Sequence, residues 1–506
     1  MTDSEGQRRA GYHRNWLTII GTALIFLGVA GGIVLFLVEV LAKGAAPYLG
    51  INYLLFMGLL VVGFILVPAG MLREGRRRRR HEGGELRELR LDLAKATHPY
   101  AILSLVASFF AVVLLVGIGT YRSYQATESS SFCGQVCHTV MEPEWTAYHR
   151  SSHARVACVE CHIGSGAGWY VRSKLSGLRQ IWAVAINSYP RPIPTPIRDL
   201  RPARETCEEC HWRRKFTGYK ENVRSYFLGD EENTRHDLRM LVKIGGEKTA
   251  FLKGSGIHYH MMIARQVEYI ARDERRQEIA WLRVTRADGS VTEYRNEDYE
   301  MSDEELAGLE VRTMDCMDCH NRPAHQFPSP VESINAALAE ERISAELPYI
   351  KLEAVKALDN GWASPSDAAT GIANEIRGFY AREYPEVVRK RSDELTRAIQ
   401  EIQTIYSNTM FPTMKAKWSA YPNNIGHIES PGCFRCHTDA MVSEDGDSVF
   451  TECSECHLIL AQGESIQQVN VNLETGLDFV HPDDYETMDE YEECTDCHTG
   501  GADVYE

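Results

Sequence analysis

All fourteen cysteines of this 506-residue chain fall into seven close pairs, and a histidine directly follows the second cysteine of every pair. Six pairs read C-x-x-C-H: Cys158, Cys161 and His162; Cys207, Cys210 and His211; Cys316, Cys319 and His320; Cys433, Cys436 and His437; Cys453, Cys456 and His457; Cys494, Cys497 and His498. The seventh, Cys133, Cys137 and His138, carries one extra residue between its cysteines. Two thiols at this spacing reach the two vinyl groups of one haem, while the adjacent imidazole sits under the iron as the proximal ligand. Zinc knuckles and disulfides also use C-x-x-C pairs. Knuckles need pairs in twos, whereas seven is odd, and neither chemistry requires a histidine after every second cysteine. Seven covalently bound haems c are therefore expected. The haems themselves should supply much of the apolar core, leaving regular secondary structure sparse.

The first quarter of the chain has a different character. Three apolar stretches, 16–41, 54–72 and 101–118, come close to the roughly 20 residues of a spanning helix, and none contains Lys or Arg. Between the second and third lies a basic segment, 73–97, with Arg76 to Arg80 at its start, and Arg8, Arg9 and Arg14 precede the first. Positive segments stay in the cytoplasm. The order is then inside, out, in, out: the N-terminus is cytoplasmic and everything after about residue 121 lies beyond the inner membrane, where haem c is attached. The basic run is a topology determinant that also meets anionic lipid. The first span is too long for the apolar region of a signal peptide. Gly28 and Gly32 would let a second helix approach closely.

Charge divides at the same boundary. Residues 1–121 hold 13 basic and 8 acidic side chains, and the remainder holds 41 basic and 62 acidic. After His437 there is no Lys or Arg but there are nineteen Asp and Glu. Such a surface repels nucleic acid and suits either plain solvation or a basic protein partner.

The sequence thus predicts a membrane α-helical anchor of three spans (1–121) and an exported multihaem cytochrome c domain, mainly α with sparse regular structure and a small β insertion. That domain reads as a first haem region (122–215), a β-containing insertion (216–315), a fourth haem with a helical segment (316–430) and an acidic C-terminal haem region (431–506). A helix is expected over 168–189. In the insertion, Asp288-Gly289 between alternating runs marks a hairpin. Helical periodicity occupies about 331–406.

Haems that only relay electrons are six-coordinate, so distal ligands are needed. The exported part offers His149, His153, His236, His258, His260, His325, His427 and His481. His236, in a polar stretch, is the weakest of these. His258 and His260 alternate along a segment expected to be extended, which would turn them to opposite sides and toward two different haems.

The residues SFCGQVCHTVMEPEWTAYHRSSHARVACVECHIG, continuing through YPRPIPTPIRDLRPARETCEECHW, resemble the NapC/NirT family of membrane-bound quinol dehydrogenases. Three spans, seven haem motifs and the segments YPNNIGHIESPGCFRCH and CSECHLILAQ make the whole chain similar to the inner-membrane heptahaem cytochromes of metal-reducing bacteria. The resemblance implies oxidation of menaquinol at the outer face of the membrane and delivery of electrons to periplasmic c-type cytochromes, in respiration to extracellular or metal acceptors. It also implies a methionine on the first haem in place of the neighbouring histidine. Met141 is the candidate, against His138. The methionine stands three residues after His138 where the family has two, and the first motif has its extra residue. In one branch a lysine twelve residues after the second motif's histidine binds iron and lines the quinol site. Spacing alone gives Lys174, and the aspartate of that branch is replaced by Ile181. A quinol site also needs an acid to take protons. Glu142 and Glu144 are nearest in sequence, and Glu39 at the outer end of the first span is a third, equally explained by an i,i+4 pair with Lys43. Two other readings remain: a terminal reductase of a nitrogen or sulfur oxyanion, which needs an open iron position, and an electron conduit without its own quinone site.

Overall fold

The computed structural model describes residues 15–505 apart from 42–46, 82–98, 165, 198–199, 213–214, 246–255, 263–265, 450, 465, 467–474 and 483–493. Arg8, Arg9, Arg14, Lys43, most of the basic segment and the side chains of Glu39 and His138 lie outside the described residues. The chain divides into two compact units, 1–141 with 157–159, and 142–156 with 160–506.

In the first unit the apolar stretches become helices Trp16–Leu41, Pro47–His81 and Pro99–Thr127. Within them Trp16–Leu35 and Leu55–Glu74 are long and apolar enough to cross a membrane. The basic run expected in a loop instead continues the second helix through Arg76 to His81, because the single glycine, Gly75, costs only about 1 kcal/mol and the arginines after it propagate a helix well. The first two helices pack at glycines. A methyl group on Gly28 would come within 2.9 Å of the Phe56 carbonyl oxygen, and one on Gly21 within 2.9 Å of the Val67 nitrogen. Gly28 thus serves close approach as expected. Gly32 faces open space, and Gly31, packed on the Phe56 ring, takes the role assigned to it.

The second unit contains two antiparallel sheets and a helical subdomain. Strands β1 (Gly218–Phe227), β2 (Arg235–Gly245), β3 (Gln266–Ala271), β4 (Ile279–Thr285), β5 (Val291–Asn296), β6 (Arg312–Thr313), β7 (Met441–Ser443) and β8 (His457–Gly463) form a sheet ordered β1-β2-β8 and another ordered β6-β3-β4-β5-β7. The β region is therefore no self-contained insertion. Strands from beyond the fifth haem motif close one edge of each sheet, and β8 begins at His457 itself. The expected hairpin joins β4 to β5: Gly289 has φ +89, and the Asp288 carboxylate accepts from the Ser290 nitrogen at 2.9 Å. Strand β4 is covered on both faces, with Ile279 and Leu282 in one cluster and Ala280 and Trp281 in another.

Helices Pro330–Ala339, Ile350–Asp359, Pro365–Glu383, Pro385–Lys390 and Ser392–Thr409 fill the predicted helical span. They enclose a core of their own, including Ile334, Ile350, Ile376, Tyr380, Ile399 and Ile402. The turn between β1 and β2 is fastened to this core by Asn233, whose amide donates to the Ala345 and Leu347 carbonyls at 2.9 Å and whose oxygen accepts from the Lys351 nitrogen at 2.8 Å.

Lys351 is fully buried, with Nζ donating to the Val331 carbonyl at 3.1 Å and to Asn335 Oδ1 at 2.5 Å. Burial pulls its ammonium down to about 7, against an attraction from Glu429. Between that value and an ordinary lysine's, the unfolded chain holds a proton that the folded one does not, so folding stability rises with pH across this window. Melting temperature followed from about pH 7 to about pH 10 is expected to climb in the wild type relative to Lys351→Met, which lacks this component. Parallel curves for the two proteins would contradict it.

Candidate haem-binding sites

Each C-x-x-C-H motif folds as a single helical turn. Cys158–His162, Cys316–Cys319 and Cys453–Cys456 are α-helical, and Cys207–Glu209, Gly432–Arg435 and Cys494–Asp496 are tighter 3₁₀ turns. The His211, His320, His437 and His498 nitrogens donate to the carbonyls of Cys207, Cys316, Cys433 and Cys494 at 2.7 to 3.1 Å. One turn returns residues i and i+3 to the same side, which presents both thiols to one ligand. The first motif solves its extra residue by widening. Phe132–Val136 is a π-helical turn, so Cys133 and Cys137, four apart, again share a face. This segment packs on the helices Pro47–His81 and Pro99–Thr127.

Within the second unit, six proximal histidines each face one other imidazole. Ring centroids lie 6.2 Å apart for His162 and His325, 6.0 Å for His211 and His153, 6.3 Å for His320 and His258, 5.8 Å for His437 and His260, 6.3 Å for His457 and His427, and 6.0 Å for His498 and His481. Two imidazoles bound trans to one metal, with metal–nitrogen bonds of about 2 Å and roughly 1.1 Å from nitrogen to ring centre, put their centroids about 6.2 Å apart. Every pair joins a motif histidine to one outside the motifs. His258 and His260 do reach two different motifs, but at the start of the helical turn Tyr259–Met262, with His258 just before it and His260 within it, rather than on an extended segment.

Four of the rings outside the motifs are oriented by backbone. Nδ1 of His325 donates to the Glu144 carbonyl at 3.1 Å, of His153 to Pro323 at 3.1 Å, of His258 to Ile244 at 3.0 Å and of His260 to Ile257 at 3.3 Å. A carbonyl only accepts, so Nδ1 carries the proton and Nε2 keeps its lone pair for a metal, the usual arrangement of a ligating histidine. Burial favours the neutral form of seven imidazoles in the pairs: it lowers His162, His320, His325, His427, His457 and His498, and takes His260 to about 4 with help from His437. Protonated rings could not ligate. The donor set fits haem.

Neighbouring motifs touch. The Cys207 side chain lies against that of Cys316, with Cys161 close by, and the buried Cys319 lies near Cys433 and Cys436. The fourth motif therefore lies between the third and fifth. It is fixed there by Asp318, whose buried carboxylate accepts from Tyr269 at 2.6 Å, Arg312 at 2.9 Å and the Asp315 nitrogen at 2.7 Å. Its carbonyl accepts from Arg435 of the fifth motif at 2.7 Å.

The remaining predicted residues are placed as follows. His149 is exposed, its ring against Trp145 and Tyr148, and it belongs to none of the six pairs. His236, in β2, is not in a pair either, and its buried Nε2 has no partner. Met141 lies one turn after Cys137, its nitrogen donating to the Cys137 carbonyl at 3.0 Å. Lys174 Nζ sits 4.8 Å over the Tyr170 ring, while the ring opposite His162 is His325. Glu142 is exposed. Glu144 is held by Arg322, which donates at 3.0 and 3.2 Å and stacks 4.0 Å over Tyr421. Sequence reasoning did not find Arg322, although its place two residues after His320 was a signal.

Comparison with known proteins follows the same lines. Residues 95–192 match the NapC/NirT cytochrome c family, N-terminal region. The chain is 40% identical over 499 residues to cytochrome c-type protein ImcH of Geobacter sulfurreducens, covering 98% of this chain and 97% of that one. It is 31% identical over 104 residues to cytochrome c-type protein NrfH of Wolinella succinogenes, covering 20% of this chain and 56% of that one. No solved structure matches.

Replacing Arg322 by Met leaves the largely buried Glu144 carboxylate without its cation, and a broken buried pair of this kind costs about 3 kcal/mol. Denaturant unfolding is expected to show that loss, and none for Arg389→Met, whose partner Glu386 is exposed.

Proposed function

Because this chain belongs to the NapC/NirT cytochrome c family, we propose that it is a heptahaem quinol dehydrogenase, oxidising menaquinol at the outer face of the inner membrane and relaying electrons to periplasmic c-type cytochromes. Its membership makes it a membrane multihaem cytochrome c of electron transfer. The observation that carries the finer reading is the set of six imidazole pairs in one unit, with the seventh motif, irregular in spacing, on the helices of the other.

The fourteen cysteines would hold seven haems, and the paired histidines would supply both axial ligands at six of them. Bound haem supplies one-electron chemistry between ferric and ferrous iron. With both axial positions filled by histidine, those six sites are closed to an oxyanion, which disfavours a terminal reductase. The first site is the different one. We assign Met141 to its iron, and the quinol site beside it. Glu144 is committed to Arg322 and His325, which leaves Glu142, exposed to solvent, to take the quinol protons. Lys174 belongs to the helix Ala167–Ala185, whose outward face carries Val171, Leu175, Leu178 and Trp182 and which contains no acid. That composition suits the bilayer surface. Three spans with the basic segment 73–97 in the cytoplasm put the haem unit in the periplasm, and the acidic stretch after His437 suits a basic cytochrome partner.

The test is rapid mixing of a menaquinol analogue with the full-length protein in lipid nanodiscs, following haem reduction. Wild type is expected to be reduced and to reduce an added periplasmic cytochrome, and Met141→Ala to slow reduction by roughly tenfold or more, a barrier of about 1.4 kcal/mol. Absence of reduction by quinol in protein carrying all its haems would leave only the conduit reading.

A further inference from the structure

Two arginines are buried among the described residues, Arg201 and Arg322. The second is answered by Glu144. Arg201 is not: its side chain is 5% exposed, Nε and Nη1 have no hydrogen-bond partner, and Nη2 meets only Glu205, at 3.5 Å, itself 53% exposed. An ionised group removed from water without compensation costs several kcal/mol, and arginine does not escape by losing its proton. A guanidinium held this way is a site waiting for an anion.

Its surroundings say which anion. The guanidinium lies against Gly164, two residues after His162, where φ is +64 and an added Cβ would fall 1.5 Å from Nη1. Any side chain there would evict the cation. On the other side Arg201 precedes the short helix Ala203–Thr206, which runs into Cys207. The second and third motifs are close in space as well, since Cys161 lies near the Cys207 thiol. The cation therefore sits between two haem-attachment motifs. A haem brings two carboxylates of its own, its propionates.

We propose that Arg201 binds a haem propionate, from the haem attached at Cys158 and Cys161 or from that at Cys207 and Cys210, through Nε and Nη1. The proposal rests on the haem reading above. Pairing neutralises a carboxylate that would otherwise stabilise ferric iron, so Arg201 raises the reduction potential of that haem and holds it in place. Gly164 is kept small to admit the cation.

The experiment uses the full-length detergent-solubilised protein with Arg201→Gln and Arg201→Lys. Haem per chain is counted first, and each potential is then titrated by electron paramagnetic resonance. The same substitutions in a His325→Met or a His153→Met background identify whether the second or third haem responds. Arg201→Gln is expected to keep seven haems and to shift one haem's reduction equilibrium about tenfold toward ferric iron, about 59 mV. Arg201→Lys should shift the same haem by less, because an ammonium replaces a planar multidentate donor with a point charge. Unchanged potentials in Arg201→Gln would overturn the proposal. So would a shift there with Arg201→Lys identical to wild type, which would make the charge act at a distance. If Arg201→Gln fails to assemble, Arg201→Lys decides alone by the same criterion. A wild-type count below seven would instead sink the haem reading beneath.

Discussion

Six pairs of imidazoles, each with ring centroids about 6 Å apart, form the constraint on which the proposed haem unit depends. Five of the six pairs join residues thirty or more apart along the chain, among them His162 with the stretch after the fourth motif, His260 of the β region with the fifth motif, and His427 with the start of β8. With haem bound as proposed, these would be metal–ligand links rather than packing contacts. That would explain why six motif turns, most of them a single turn long, hold fixed positions without long helices or strands of their own. The carbonyls on Nδ1 of four distal rings complete the arrangement by aiming Nε2.

Around this array the protein spends its ordinary folding interactions on supports. The helical subdomain buries its own aliphatic core and grips the β1–β2 turn through Asn233. The five-stranded sheet reaches the fourth motif through Tyr269 and Asp318. Arg322, stacked on Tyr421 and paired with Glu144, steadies His325. Charged groups recur here because each does two tasks, neutralising a buried partner and locating a ligand. Arg201 fits the same pattern once a propionate is its partner.

The candidate attachment motifs were legible because a covalent link to one haem needs its residues adjacent in sequence. The histidines that pair with the motifs were legible as candidates by supply: eight histidines for seven vacant positions in an acidic domain expected to be exported. What sequence could not supply was pairing, since partners as distant as His260 and His437 are brought together by the whole fold. The same limit hid β7 and β8, short strands beside motifs that close sheets begun two hundred residues earlier. Local rules also misjudged two details. His258 and His260 sit at the start of a helical turn, His260 within it and His258 just before, and not on a strand. Glu144 read as a candidate proton acceptor, and only the fold shows its carboxylate engaged by Arg322.

The central claim is that the chain itself provides two histidines to six irons and a different ligand set to one. Near-infrared magnetic circular dichroism of the oxidised full-length protein counts these directly, because the charge-transfer band of low-spin ferric haem depends on its axial pair. The account predicts six bis-histidine irons and a seventh with a separate signature. Fewer than six bis-histidine irons in fully haem-loaded protein would contradict it.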